Sequence, residues 1–554
     1  MARFILHSPS EWYGDNFNFT PELHYDRYYL LPDPALNHIG PDTEDQAVYI
    51  AHVGDVPPAE MATYNYSSSY LLAQKLITQV PNIAGAKVLV KPNNTGFIGL
   101  FYNNPQLREI LTKKKGMKED ADHQCIATQP AVVAGIVDAL LDAGVVEVHI
   151  GENMLWDGGT PRAFWETGYT QYFCQEKYDG KVFFVDFYEN DNTEVAQLPI
   201  AQGEYDLGGY TECYPPQALF DEGYAIIISA AIAKIHNCAY YTLAAKNFSV
   251  SWNPRRPMKG IPPRWHIHGL PMDCFTPEYL KQVLSDDFEP VFFYEFKEEP
   301  LEEGEELAKG PRNVTLCTDT EASDPIRTYM SCGQRVLQVD PHHHAGANLV
   351  TLNLGTQYLI IRYTGIFASV VKTLNEQGTK VGTICSGIVG QEGEGPLIYG
   401  SLRYGGFNLA SFNHAGLESI ATDIMLGQDA SGFAGFLEQF ARGREEEYEF
   451  HSDEFHQDAQ KPWTLELLRN LAGGETSRSK IPVDYFDYSN ERFISTLDEV
   501  QTLRNGNPFI FTDAFYCSPK TWLRLIHTER GIYEKATLFF QKGVEIPLIP
   551  GVVK

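Results

Sequence analysis

Lys234-Ile235-His236 closes an apolar run, YAIIISAAIA, and is followed by Lys246-Asn247 and then by His266-Ile267-His268. Lysine and imidazole delivered from the end of a buried strand are groups with which α/β proteins move protons and hold anions. If the backbone stays extended there, Lys234 and His236 share one face and Ile235 points to the core. A lysine at a partly desolvated rim loses some preference for its charge, so Lys234 and His236 are candidate proton-transfer groups. A lysine reaching out from a strand end beside a hydrogen-bonded histidine accounts for the same residues.

Further candidates surround this pair in sequence. In Arg264-Trp265-His266-Ile267-His268 the alternation places His266 and His268 on one face. Two such imidazoles can ligate a divalent transition metal when a third ligand arrives from elsewhere, and a polar solvent face shows the same alternation. His342-His343-His344 precedes a long helix and can supply that ligand through His343, because a helix amino end disfavours the protonated ring; a solvated loop is the alternative. Glu392 and Glu394 stand between glycines in GQEGEGP, where a permissive backbone can bring a carboxylate to a ligand, so Glu394 is a candidate general base, metal ligand or partner for Lys234; a solvated turn is the alternative. Lys91, Asn93 and Thr95 in KPNNTG, with Lys246 and Asn247, offer cations and donors that suit a carboxylate or phosphate group. Cys238 and Cys385 lie near these segments but carry no nucleophilic assignment, since cysteine is often a small buried apolar residue. Neither a phosphate-binding G-x-x-x-x-G-K-[ST] loop nor a G-x-S-x-G elbow occurs.

The elements that must position these groups follow from periodicity. A helix is predicted from Ser68 to Val80 and a strand from Lys87 to Val90. Thr128 can cap a helix with Pro130 in its first turn and Gly144 at its end. A strand at 145–150, a helix at 163–174 and strands at 182–186 and 225–229 come next. Alternation at this spacing predicts an α/β fold, a mostly parallel sheet with helices on both faces. KPNNTG, Gly151-Glu152-Asn153 and Lys234-Ile235-His236 all follow strands, and in a parallel sheet those carboxyl ends share one rim. A helix at 348–374, a strand at 380–384 and a helix at 415–426 complete the pattern.

Three units are expected: an irregular arm over 1–65, an α/β core over 66–445 and a small helical appendage over 446–554 with a strand at 509–512. An acidic surface insertion at about 274–339 interrupts the core, with six glutamates between Glu298 and Glu306.

With 554 residues, 43% of them hydrophobic, the chain can bury one large core. A formal charge of −29 argues against nucleic acid and anionic membrane as general partners, while leaving small anions possible. No secretory signal pattern opens the chain, and Asn353, Gln357 and Arg362 interrupt the apolar stretch 349–371, so a soluble cytoplasmic protein is expected. Nine cysteines without a C-x-x-C pair imply no zinc ribbon and no intrinsic iron–sulfur cluster.

Taken in order from Val88 to Gly427, these motifs resemble the family called domain of unknown function 362. Its lysine-proline-asparagine strand end is similar to Lys91-Pro92-Asn93, and its threonine-x-proline helix start to Thr128-Gln129-Pro130. Its glycine-acid pair matches Gly151-Glu152; its lysine-x-histidine and lysine-asparagine pairs match Lys234, His236, Lys246 and Asn247; its later histidine falls at His266 or His268. GQEGEGP and Asp423 complete the match, while His414-Ala415-Gly416 stands where an aspartate-proline turn is expected, and fused four-cysteine modules are absent. The residues and the resemblance together imply an enzyme acting on a small anionic substrate, transition-metal-dependent and possibly redox. Alternatives are a non-catalytic metal- or cofactor-binding protein serving a redox or maturation partner, and a metal-free isomerase or lyase built on Lys234, His236 and Glu394. Oligomeric state is not legible in the sequence.

Overall fold

The computed structural model describes residues 2–4, 47–53, 60–94, 125–154, 159–190, 192–203, 211–236, 239–254, 258, 261, 292–296, 314–318, 328–331, 334–337, 345–393, 400–425, 463–476, 481–487, 492–494, 537–540 and 544–547. Twelve strands form the main sheet: β1 (Ala2–Phe4), β2 (Val48–His52), β3 (Lys87–Pro92), β4 (Glu147–Glu152), β5 (Val182–Asp186), β6 (Ile226–His236), β7 (Tyr240–Thr242), β8 (Lys380–Gly393), β9 (Gly400–Arg403), β10 (Phe407–Ser411), β11 (Val483–Asp487) and β12 (Arg492–Ile494). Eight helices matter here: α1 (Met61–Ile77), α2 (Pro130–Asp142), α3 (Gly159–Glu166), α4 (Tyr169–Phe173), α5 (Ala244–Ser249), α6 (Ala345–Glu376), α7 (His414–Met425) and α8 (Trp463–Ala472).

The strand order is β1-β5-β4-β3-β6-β8-β10-β2-β11-β12, with β7 and β9 pairing off β6 and β8. The central run from β5 through β4, β3 and β6 to β8 is parallel, as the alternation of helices and strands predicts. Its strands are apolar because both faces are covered. Val88, Val90, Val148, Ile150, Ile226 and Ile228 point to one face and form a core with α1, α2 and α4. The alternate set points the other way, where Asn247 of α5 reaches Ser229 and His414 of α7 reaches Thr383. There Phe367 of α6 packs edge-on against both Phe248 and His414.

Several expectations are corrected. Val48–His52 lies in the stretch expected to be an irregular arm, yet it is a buried strand between β10 and β11, because VYIAH is apolar enough to enter the sheet. The helix expected over 163–174 is two helices, broken at Gly168, whose φ of 84° leaves the helical region. Val483–Asp487, inside the expected helical appendage, joins the main sheet parallel to β2. Asp484 there binds Lys75 of α1 at 2.8 Å, with both side chains at or below 5% exposure, so this part of the chain is tied into the core. In the expected insertion, two antiparallel strand pairs are described (292–296 with 314–318, 328–331 with 334–337); the glutamate run and the strand expected at 509–512 lie outside the described residues.

Helices α1 and α2 lie unusually close. A Cβ built on Gly135 would sit 2.3 Å from the carbonyl oxygen of Tyr66 and 2.9 Å from the amide of Tyr70. Tyr66 and Tyr70 donate to Asp138 and Asp142 at 2.6 and 2.7 Å, stitching the two helices in the turns of α2 that follow that contact. Alanine gains about 1 kcal/mol in helix propensity over glycine, but here the added methyl meets backbone that cannot yield cheaply. Gly135→Ala is therefore expected to lower stability by about 1–3 kcal/mol; a urea midpoint at or above that of wild type would contradict this contact.

Candidate functional site

Three of the parallel strands end beside one another, and their terminal residues meet. Lys91, the penultimate residue of β3, has no exposed surface, and its ammonium group donates to Glu152 Oε2 at 3.1 Å, to the Pro92 carbonyl at 3.1 Å and to Asn247 Oδ1 at 3.5 Å. Glu152 closes β4 and is 3% exposed. Its Oε2 also accepts from the Asn94 amide at 3.2 Å, while Oε1 accepts from the Asn153 amide at 2.8 Å and the Ser251 hydroxyl at 2.6 Å. All four acceptor positions of the carboxylate are thus occupied.

Lys234 lies within β6 rather than beyond it, because β6 runs eleven residues to His236 instead of stopping at Ser229. Its last turn of chain pairs with β7, placing Lys234, Ile235 and His236 opposite Thr242, Tyr241 and Tyr240. All three residues are buried. The Lys234 ammonium donates to Asn93 Oδ1 at 2.9 Å and to the Ile126 carbonyl at 2.7 Å, so it sits beside the segment that leads into α2. Asn247 donates to Ser229 at 2.9 Å and shares α5 with Lys246, itself 6% exposed.

Thr128 does not cap α2. The helix begins after Gln129 with no side-chain cap, and the Thr128 hydroxyl instead donates to the Ala230 carbonyl at 2.7 Å and accepts from the Asn93 amide at 3.0 Å. It therefore pins the end of β3 to β6, directly under Lys234. A hydroxyl one residue before the cap is positioned to serve backbone groups of neighbouring strands, which sequence spacing alone does not distinguish from capping.

Of the residues singled out in the sequence, Lys91 is hydrogen-bonded to Asn247 and Lys234 to Asn93, with His236 and Lys246 on the flanking elements. Thr95, Glu394, His266, His268 and His343 lie outside the described residues. Gln391, Glu392 and Gly393 belong to β8 rather than to a turn: they pair with β9, and Glu392 faces Arg403 at 3.8 Å. Cys385 is fully buried, and burial pushes its thiol well up, which agrees with assigning it no nucleophilic role. Glu152 and Ser251 were missed as site residues. The signal for Glu152 was present, an acid at the end of a buried strand, where an unpaired charge would be costly.

Beneath the rim, a second group of titratable side chains is buried between the sheet and α5, α6 and α7. Glu418 of α7 accepts from the Ala245 amide at 2.8 Å and from the Tyr241 hydroxyl, yet desolvation outweighs both bonds and raises its carboxyl to about 7. His414, one turn earlier, is lowered to about 4 by desolvation, against a hydrogen bond that its ring donates to the Val381 carbonyl. Its ring lies 3.1 Å from the Thr383 hydroxyl.

At the opposite, amino end of the strands, Glu147, His149 and Glu222 bring their ligand atoms within 4.8 Å of one another, a candidate acidic and histidine metal cluster. Lys87 stands on both carboxylates, 3.1 Å from Glu147 and hydrogen-bonded to Glu222. Burial lowers the Lys87 pKa, but those two hydrogen bonds outweigh it and leave the group above its ordinary value. Its ammonium charge thus already occupies the place a cation would take.

A family model described as domain of unknown function (DUF362) matches residues 114–423, more than half of the chain. No curated protein matches. Among solved structures, a crystal structure of a protein from Thermotoga maritima aligns at 9% identity and a TM-score of 0.27; the alignment covers 63% of this chain and 55% of that one. Among the described residues, no helix is long and apolar enough to cross a membrane.

Two outcomes follow from this geometry. Glu152→Ala leaves Lys91 buried without this carboxylate and removes the acceptor for two amides and a hydroxyl, so it is expected to cost about 3–5 kcal/mol, with Lys91→Met/Glu152→Gln recovering part of the loss; equal denaturation midpoints for wild type and Glu152→Ala would contradict the arrangement. The two groups on α7 work in opposite directions with pH. The raised Glu418 carboxyl gives stability that is complete below pH 4.5 and lost as pH rises through about 7. The depressed His414 imidazole gives stability that is complete above pH 6.5 and lost as pH falls through about 4. Glu418→Gln should flatten the first slope and leave the second, as read from urea midpoints across that range; an unchanged profile would show that Glu418 does not titrate there.

Proposed function

The chain belongs to the domain of unknown function (DUF362) family, and on that premise we propose that it is an enzyme acting on a small carboxylate- or phosphate-bearing substrate at the shared strand rim. The observation that carries this reading is a pair of lysines without exposed surface near the ends of neighbouring strands: Lys91 bonded to Glu152 and Asn247, and Lys234 bonded to Asn93, whose neighbour Asn94 donates its amide to Glu152. Lys246, also buried, lies next to Asn247 in α5. In a poorly hydrated setting such charges attract an anion far more strongly than on a solvated surface.

Roles follow from the bonds each group makes. Lys91 donates to Glu152, Pro92 and Asn247, so it acts on a ligand through its field and by holding Asn247 in place. Lys234 is the proton-transfer group, a buried ammonium held by the Asn93 side chain and the Ile126 carbonyl. His236 follows it two residues along β6 and shares the role. The amino end of α2, with Pro130 in its first turn and no side-chain cap, adds a partial positive charge suited to the same anion. Negative charge that develops during proton transfer would be stabilised by these preorganised donors.

A divalent transition metal belongs to this reading through His266, His268 and His343, whose imidazoles suit such an ion; when bound it would polarise the substrate's oxygen atoms. That part rests on the sequence pattern, and the redox character on the family resemblance. Elemental analysis of untagged protein tests it: a stoichiometric metal retained by His266→Ala/His268→Ala would remove those ligands from the proposal, and turnover that survives chelation would favour the metal-free isomerase or lyase.

Inorganic phosphate and succinate serve as probes of the anion site. Calorimetry at low ionic strength should show saturable binding of at least one of them, weakened about tenfold or more, equivalent to roughly 1.4 kcal/mol, by Lys234→Met. Lys372→Met, at an exposed position, should leave it unchanged. No binding by the wild-type protein, or equal binding by Lys234→Met, would remove the reading.

A further inference from the structure

Resting on the rim as an anion site, we infer that Glu418 is a positioning residue for it: a single carboxyl on α7 holds the turn between β7 and α5, and through that turn the residues that face the ligand. The turn is short. Tyr240–Thr242 pairs with the last three residues of β6, Leu243 follows, and α5 begins at Ala244. One side of this unit fixes the edge of the strand at Lys234 and His236; the other carries Lys246 and Asn247.

Glu418 holds both sides at once. Its carboxyl accepts from the backbone amide of Ala245 at 2.8 Å, in the first turn of α5, and from the hydroxyl of Tyr241, which lies opposite Ile235 on β7. The residue is 173 positions away in sequence, on a helix that also meets β8, β10, α6 and α8, so the bond joins parts of the fold that lie far apart along the chain. From Ala245 the chain of contacts is short. Asn247, two residues on, donates to Ser229 at 2.9 Å and accepts from Lys91 at 3.5 Å. A movement of the amino end of α5 would therefore reach Lys91 and Glu152 through Asn247.

The bland alternative is a buried carboxylic acid that merely satisfies a buried amide in the first turn of α5. An apolar residue of similar size would serve the packing of α7 as well, since Leu417, Ile420, Ala421 and Ile424 already bury that helix. What a carboxyl adds is an acceptor aimed at two donors of the β7–α5 turn, where an unmade bond would leave the Ala245 amide orphaned.

Three full-length variants test this by phosphate calorimetry together with amide hydrogen exchange. Glu418→Ala should weaken phosphate binding about tenfold and speed exchange at Ala245 and its neighbours in α5, while the β3 and β4 amides keep their protection. Glu418→Gln should restore both, because the amide oxygen accepts the same bond from Ala245. If Glu418→Ala does not fold, Tyr241→Phe removes the other donor and should show a smaller loss in the same two readouts. Wild-type affinity in Glu418→Ala, or in Tyr241→Phe where that variant stands in, would overturn the role. So would equal damage in the Gln and Ala variants. A wild-type protein that binds neither phosphate nor succinate would instead bring down the anion site, and this role with it, a result distinct from the other two.

Discussion

The structure depends on a carboxylate buried where three chain segments meet. Moving an ion of this kind out of water carries a penalty of several kcal/mol unless every acceptor position is filled and an opposite charge lies close. Glu152 meets both conditions, with Lys91, two backbone amides and the Ser251 hydroxyl on its oxygens. The need to fill those positions dictates the geometry around it. The chain leaving β3 must present the Asn94 amide, the chain leaving β4 must present the Asn153 amide, and the segment after α5 must return to supply Ser251. Lys91, held by the same carboxylate, then orients Asn247, which reaches across to Ser229 on β6.

Lys234 is placed by a separate set of constraints. Beyond Ser386 the register between β6 and β8 shifts, so that Gln391 rather than an earlier residue stands beside Lys234. The irregularity is held by Asn408 of β10, whose Oδ1 accepts from the amides of Gly387 and Ile388 at 3.1 and 3.4 Å. Its Nδ2 donates to Ser68 of α1 at 2.6 Å, and Ser386 donates to Asn65 of the same helix at 2.9 Å. Asn65 in turn donates to Gln129 at the start of α2 at 2.7 Å. A buried polar network thus links the bulge in β8 to the helix amino end beside Lys234. Such networks are stabilising only when their members are satisfied, and then they specify one arrangement.

Much of this was legible in the sequence. The parallel strands announce themselves as short apolar runs, and the rim residues as polar groups directly after them, so Lys91, Asn93, Lys234 and Asn247 could be named without coordinates. What failed was local. VYIAH reads as part of an irregular arm because its neighbours are rich in tyrosine, proline and aspartate, yet five buried residues suffice for a strand in the middle of a sheet. The end of β6 was set too early because lysine and histidine are poor candidates for a buried strand interior until specific partners for them are known. Glu418 gives no signal of its own: with Asp423 it reads as the solvent face of an amphipathic helix, and only its bond to a turn 173 residues earlier shows that it is buried.

The two ends of the same strands treat charge differently, and one end sets up the other. At the amino end Lys87 stands opposite Glu147, half-buried, where ion pairs are screened and modest in energy. Their value lies in register. Side chains alternate along a strand, so a slip of one residue between β3 and β4 would turn every side chain to the wrong face. Counting forward from Lys87 opposite Glu147 brings Lys91 level with Gly151, one residue before Glu152. Gly151 carries no Cβ there, and one built on it would lie 2.3 Å from the Phe187 ring, so this ring can close over the strand end only because the residue is glycine. A screened pair at one edge and a missing methyl at the other together deliver the lysine to its buried carboxylate, and that pairing is what allows a dry, charged rim to exist at all.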